Sequence, residues 1–449
     1  MALRLTILGG GGFRVPLVYR ALLADRSPGR VTEVVLHDLD PARLDAIGHV
    51  LASQAAGVPD PPAVTTTTEL DLALAGTDFV FSAIRVGGLS GRARDERIAF
   101  AEQVLGQETV GAGGICYGLR TVPVAVDIAR RVAALAPNAW VINFTNPAGL
   151  VTEAMAEHLG GRVIGICDSP AGLGRRVARA LGVEADRLWL DYAGLNHLGW
   201  LRGVRVDGAD QLPRLLADAK AVESFEEGRL FGADWLRALG CVPNEYLHYY
   251  YFAREAIAAY SDGAPTRGEF LQRQQESFYT AVRGDPGSAL AAWERARLER
   301  EATYMAGNRE SAGAGDRESC DLDGGGYEKI ALELMRAISR DERATLILNV
   351  RNGSTLSVLD PDAVVEVPCV VGASGARPVA VDPLPGHAAG LVCSVKAVDR
   401  EVIAAASSGS RASALKAFAL HPLIDSVSVA ARLLERYLSE HPGLGYLRR

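Results

Sequence analysis

Residues 5–16 read LTILGGGGFRVP: a short aliphatic run, four consecutive glycines, and a proline where the first turn of a helix would stand. Few arrangements satisfy such a stretch. The run is too short for a helix and suits a buried strand, the glycines permit a tight turn, and the fixed φ of Pro16 suits the start of a helix. The same alternation continues with TEVVLHD at 32–38, a helical pattern from about Pro41, then DFVFSAI, AWVINFT and RVIGICD with helical segments between them. Strands alternating with helices imply an α/β fold with a parallel sheet wound on both faces.

Within that frame the glycines have a chemical reading. Gly9 and Gly11 occupy the first two positions of GxGxxG, which allow a tight turn and close approach of backbone to a pyrophosphate at a helix N-terminus. Gly12 and Phe13 complete the stretch expected to touch the cofactor, and Arg14 stands where the third glycine would be. The second strand ends in LHD, placing Asp38 where an acidic residue accepts hydrogen bonds from the adenosine ribose hydroxyls. This pattern predicts a Rossmann-like lobe of the lactate/malate dehydrogenase type that binds NAD, with Arg43 keeping NADP open. The alternative is a strand-to-helix turn that binds nothing.

The 449 residues exceed what one hydrophobic core usually accommodates, so two closely packed lobes are expected: 1–190 as the NAD-binding domain and 191–449 as an α+β domain for substrate and subunit contacts. In the second, mixed polar helices occupy about 210–305 and a Gly/Ser/Asp-rich stretch at 306–326 reads as a surface loop. A helix at 327–340 then leads into ATLILNVRNGS, VVEVPCVV and terminal helices. Apolar residues at 48% and charged residues at 22% are ordinary for soluble proteins, and no apolar run approaches the roughly 20 residues that span a bilayer. No secretory signal precedes the first strand, and the six cysteines show no paired spacing, so a cytoplasmic chain with free thiols is expected. A net charge of −7 without a basic stripe argues against nucleic acid and leaves small anions as ligands.

Two further stretches carry possible chemistry. GICDSP at 165–170 places Cys167 after an apolar run, and GLNHLGW at 194–200 does the same for His197. Both positions suit the ends of strands, where open α/β sheets put their sites. Either the two are core residues, a small hydrophobe and a hydrogen-bonded ring, or a thiolate and an imidazole hold a metal. The residues alone leave both readings open.

Taken together, GGGG-x-x-x-P, VGGLSGR-x-x-DE at 86–96, GQETVGAGG-x-x-YGLR at 106–120, NFTNPAG at 143–149, GICDSP, GLNHLGW, VPNEYLHYYY, NVRNGS and VVEVPCVVG resemble glycoside hydrolase family 4, the NAD- and divalent-metal-dependent phosphoglycosidases. That family departs from the usual two-carboxylate glycosidases. The resemblance, closest to bacterial 6-phospho-β-glucosidases, implies Cys167 and His197 as ligands of Mn2+ or another divalent metal. It implies an oxidation at carbon 3 of the sugar that makes the carbon 2 proton acidic, elimination of the aglycone, addition of water, and re-reduction. Tyr246 matches the base position, although Tyr246, Tyr249, Tyr250 and Tyr251 also read as helix packing. Asp168 would protonate the leaving oxygen, where β-specific relatives tend to carry asparagine; its other reading is a helix N-cap. Arg92 and Arg267 would bind the 6-phosphate, Asn146 the sugar hydroxyls, and Asn143 would lie near the nicotinamide, with Glu108 and Arg120 supporting them. Family habit implies a homodimer or homotetramer.

Competing readings are a 6-phospho-α-glucosidase working by the same chemistry, an NAD-dependent dehydrogenase of the lactate or malate type, and a nucleotide sensor without turnover.

Overall fold

A computed structural model describes residues 3–259, 265–317 and 326–447. The first half supplies strands β1 (Leu3–Leu8), β2 (Val31–His37), β3 (Ala63–Thr67), β4 (Phe79–Ser82), β5 (Trp140–Asn143) and β6 (Val163–Gly165). The second supplies β7 (Trp189–Leu195), β8 (Leu198–Val206), β9 (Ala209–Asp210), β10 (Val242–Pro243), β11 (Ala344–Arg351), β12 (Val364–Gly372) and β13 (Gly375–Pro378).

The first six pair in parallel in the order β3-β2-β1-β4-β5-β6, the doubly wound dinucleotide-binding order. β4, FVFS, at the centre is buried along its whole length, because helices cover both faces. Helix Val15–Ala24 holds Pro16 in its first turn and helix Pro41–Ala55 begins at its proline, as the sequence predicts, and Asp40 caps the second by accepting from the N–H groups of Ala42 and Arg43.

The α+β half does not build a separate sheet. β11 meets β6 antiparallel through the single pair Asn349–Gly165, and β12 meets β7 through Glu366–Gly194, so all thirteen strands join one sheet. One row of partners crosses it: Thr67, His37, Leu8, Ser82, Asn143, Gly165, Asn349, Glu366, Gly194 and Gly199. The row explains the glycine of GICDSP: a Cβ at Gly165 would press on Thr152 Oγ1 and lie 2.8 Å from Asn349 Cβ.

The expected loop at 306–326 is partly helical. Ala306–Ser311 forms a short helix with Asn308 and Arg309 buried, while 318–325, with Cys320, lie outside the described residues. Helix Tyr327–Arg340 has the bounds its periodicity predicts. Cys116, Cys167, Cys241, Cys369 and Cys393 are free thiols. No helix among the described residues is long and apolar enough to cross a membrane.

Candidate active site

A cavity of about 1130 Å3 opens over the glycine turn. Gly9, Gly12, Phe13 and Asp38 line one end of it. Arg92, Asn146 and Arg267 line it too, together with Cys167, Asp168, His197 and Tyr246. The sequence-predicted residues thus gather on one wall system drawn from both halves of the chain.

The turn is built as its glycines require. Gly9 has φ +80, a Cβ there would lie 2.6 Å from the Ala83 carbonyl oxygen, and the N–H groups of Gly9 and Gly10 both donate to the His37 carbonyl. Gly11, expected against the cofactor, does not line the cavity: its N–H donates to Asp38 Oδ2 at 3.0 Å, tying the carboxylate to the turn. Three aromatic side chains from the second half brace the same segment. Tyr279 donates to the Gly11 carbonyl at 2.6 Å, Trp293 Nε1 to that of Phe13 at 2.8 Å, and Tyr327 to that of Arg14 at 3.0 Å. Helix Val15–Ala24 starts without a side-chain cap; the Val15 and Leu17 N–H groups donate to the carbonyls of Gly12 and Arg14, and Pro16 has no N–H. Arg14 is no mere defect in the fingerprint: its guanidinium lies 5.4 Å from the Phe144 ring centroid, 5.1 Å from that of Tyr327 and 3.9 Å from Asp168 Oδ2.

Asn143 is a correction. It is fully buried behind the cavity wall, accepting from Thr145 N–H and donating to Thr152 Oγ1 at 3.0 Å, so its amide shapes the NFTNP turn rather than facing a ligand. Arg120 also lies outside the wall, bound through both Nη atoms to Asp95 at 2.8 and 2.5 Å and to Cys116 Sγ at 3.0 Å. Asp95, Cys116 and His441 form a buried cluster with ligand atoms within 4.8 Å of one another, but this guanidinium already supplies its positive charge.

Cys167 follows the end of β6, and His197 sits in the two-residue turn between β7 and β8 with φ +61, an uncommon conformation outside glycine. Both are 5% exposed. Burial lowers the His197 pKa to about 3, so the ring is neutral, the form that ligates metals; its Nδ1 lies 2.8 Å from Thr109 Oγ1. Burial, with the Glu366 and Asp168 carboxylates nearby, pushes the Cys167 thiol well above its ordinary range. A cation beside these groups would bring the thiol back down and suit a ring that is already neutral, so the donor set fits a divalent metal. The Tyr246 ring stacks on His197 with centroids 3.6 Å apart and planes 4° apart. Burial and Glu245 push the Tyr246 phenol up, while Tyr304, whose hydroxyl donates to Tyr246 Oη at 3.0 Å, acts in the opposite direction. Asp168 is the N-cap residue of helix Ser169–Leu181, yet its carboxylate accepts no capping bond and faces Arg14 instead.

The arginines divide into two sets. Arg92 is buried with Nε on Glu96 at 2.7 Å and Nη1 on Glu108 at 2.5 Å, and Glu108 also pairs with Arg85. Glu108 therefore offsets the charge of two neighbours. Arg267 donates to Thr303 Oγ1 and the Arg300 carbonyl, and the Arg300 side chain makes no salt bridge among the described residues. Burial, followed by repulsion from Arg14 and Arg267, lowers the Arg300 pKa to about 9. Glu301 and Glu108 counter this only in part, and such positive potential in a cavity is suited to an anion. Sequence reasoning missed Arg300, Tyr304 and Thr109; only Thr109 lay within a recognised motif, GQET.

Comparison with known proteins follows this geometry. The profile described as "Family 4 glycosyl hydrolase" matches residues 4–183, and "Family 4 glycosyl hydrolase C-terminal domain" matches 192–424. A "Probable 6-phospho-beta-glucosidase" of Bacillus subtilis (strain 168) is 32% identical over 98% of this chain and 96% of its own. Two solved structures superpose throughout. The 6-phospho-beta glucosidase from Thermotoga maritima with manganese, NAD+ and glucose-6-phosphate is 25% identical, covers 98% of each chain and has a TM-score of 0.81. The 6-phospho-alpha-glucosidase from gut microorganisms with NAD and glucose-6-phosphate is 27% identical, covers 99% of this chain and 98% of its own, and has a TM-score of 0.82. By profile, sequence and fold, the chain belongs to family 4 of the glycosyl hydrolases.

Proposed function

We propose that this protein is a 6-phospho-β-glucosidase dependent on NAD and Mn2+, acting in the cytoplasm as a homodimer or homotetramer, with residues 1–190 carrying the cofactor and 191–449 completing the substrate site. The observation that carries the reading is one cavity lined by the glycine turn, Cys167 and His197, a tyrosine stacked on that histidine, and Arg300 with its lowered pKa. The relatives described as 6-phosphoglucosidases support the substrate class, and the 32% identical β-type relative supports the anomer.

When bound, NAD supplies a reversible hydride acceptor and Mn2+ a Lewis acid at the sugar's carbons 2 and 3. The remaining work falls to this chain. Gly9, Gly12 and Phe13 receive the dinucleotide and Asp38 its ribose; Cys167 and His197 hold the cation. Arg300 adds its attraction for the phosphate to that of Arg267 and of Arg92, the last of which is already paired with Glu96 and Glu108. Tyr246 takes the carbon 2 proton as phenolate, a form stabilised by the hydroxyl of Tyr304 and by a nearby cation. Asp168 protonates the departing oxygen, Asn146 orients sugar hydroxyls, and the dehydrogenase reading gives way because family membership covers both halves.

A panel of α- and β-linked p-nitrophenyl glucosides and galactosides, phosphorylated and unphosphorylated, tests this. The expected result is release of nitrophenol from the 6-phospho-β-glucoside only when NAD and Mn2+ are both present, without net NADH. Undiminished release after chelation and NAD removal would overturn it, and preference for the α-linked compound would assign the α-specific reading to which Asp168 points.

A further inference from the structure

Two backbone hydrogen bonds and one hydroxyl contact bear on where the single proton of a neutral His197 ring sits. Gln107 Oε1 accepts from the N–H groups of Thr109 at 2.5 Å and Val110 at 3.0 Å. Two backbone donors aimed at one side-chain atom identify that atom as the amide oxygen, because an NH2 group there would face them donor to donor. The same oxygen lies 3.0 Å from Thr109 Oγ1 and donates nothing, so the hydroxyl proton of Thr109 must point to it. The hydroxyl carries no second hydrogen. Toward His197 Nδ1, 2.8 Å away, its oxygen can only accept. A neutral imidazole carries one N–H, so the proton lies on Nδ1 and Nε2 keeps its lone pair.

We propose that Gln107 and Thr109 are positioning residues that hold His197 as its Nδ1–H tautomer and thereby present Nε2 to the divalent cation. The inference rests on the reading that His197 ligates that cation. The Tyr246 ring, stacked parallel on His197, restrains the plane in which the lone pair lies. Without the pair the ring could place its proton on Nε2, and each ring so protonated would have to change tautomer before binding. Outer partners of this kind contribute about 10–100-fold to metal affinity.

The test needs no turnover. In metal-free protein labelled with 15N-histidine, long-range 1H–15N correlation reports the tautomer of each ring, and with eight histidines in the chain His197 is assigned by its loss in His197→Asn. The expected wild-type pattern is Nδ1–H with Nε2 unprotonated. Thr109→Val should give mixed or Nε2–H signals and raise the Mn2+ Kd, read by electron paramagnetic resonance of free Mn2+, about 10–100-fold. Thr109→Ser should restore both readouts, and Gln107→Glu, which retains an acceptor for the hydroxyl, should preserve the tautomer. An Nε2–H ring in the wild type, or a Thr109→Val protein that keeps both the Nδ1–H signal and the wild-type Kd, would overturn the proposal. Mn2+ binding that His197→Asn leaves unchanged would instead remove the cation reading and the purpose assigned to the tautomer, even with the Nδ1–H signal in place.

Discussion

Replacing Tyr279 with phenylalanine removes one oxygen and tests whether the second half of the chain sets the shape of the cofactor turn. Tyr279 is 7% exposed, its ring packs on Phe278 at 4.8 Å between centroids, and the Arg43 guanidinium lies 4.8 Å from its centre. Phenylalanine keeps these contacts and loses only the 2.6 Å bond to the Gly11 carbonyl. A buried carbonyl left without its donor costs about 1–3 kcal/mol. Gly11 lies between Gly9 and Gly12 and holds Asp38 through its N–H, so its relaxation moves the turn and the carboxylate that would meet the cofactor's pyrophosphate and ribose. If about 1–2 kcal/mol of the loss is expressed in the turn, the NAD Kd rises roughly 5–30-fold. Tyr19→Phe is the control: its hydroxyl makes the same kind of bond, at 3.0 Å to the Pro62 carbonyl, and Tyr19 does not line the cavity. Isothermal titration with NAD and thermal melts of both variants decide the matter. The expected result is a lower Tm in each and weaker NAD binding only in Tyr279→Phe. An NAD Kd within twofold of wild type in Tyr279→Phe would refute the bracing argument.

Three other outcomes follow from the site. Tyr246→Phe should abolish exchange of the substrate's carbon 2 hydrogen with solvent deuterium, followed by mass spectrometry, while NAD binding stays intact; exchange at the wild-type rate would remove Tyr246 as the base. Arg300→Ala should lower kcat/KM for a 6-phosphorylated substrate about 10–100-fold, the worth of a lost charged hydrogen bond, and leave an unphosphorylated analogue unaffected in a steady-state comparison. Glu366 accepts from Tyr192, Asn196 and Asn349, yet burial raises its pKa from 4.5 to about 7. Its contribution to stability is therefore full below pH 4.5 and lost as pH rises to about 7. In metal-free protein, urea unfolding of wild type relative to Glu366→Gln should fall by about 3 kcal/mol across that window, and a flat difference would show the carboxylate ionised throughout.

Five of the six parallel strands were legible as short apolar runs, and Pro16 and Pro41 marked helix starts; β3, AVTTT, was not, because its residues are largely polar and none is buried. The joining of the two halves was not. β6 is three residues long and meets β11 at Asn349 alone, a pairing across nearly two hundred residues that leaves no local pattern. Motif residues on the turns after strands, such as Asp38 and Cys167, fell on the cavity as expected. Asn143 did not, because its side chain sits on the cross-sheet row and turns inward, and NFTNP does not tell which asparagine faces out. Arg300 was illegible for a different reason: its significance comes from Arg14 and Arg267, brought near by packing and not by spacing.

The unbroken sheet has an evolutionary implication. With Asn349 locked to both Gly165 and Glu366, no seam exists along which one half could be traded for that of a cousin without remaking the junction. Divergence in a chain of this build must proceed by substitution around a shared hollow, residue by residue, and not by shuffling of ready-made modules.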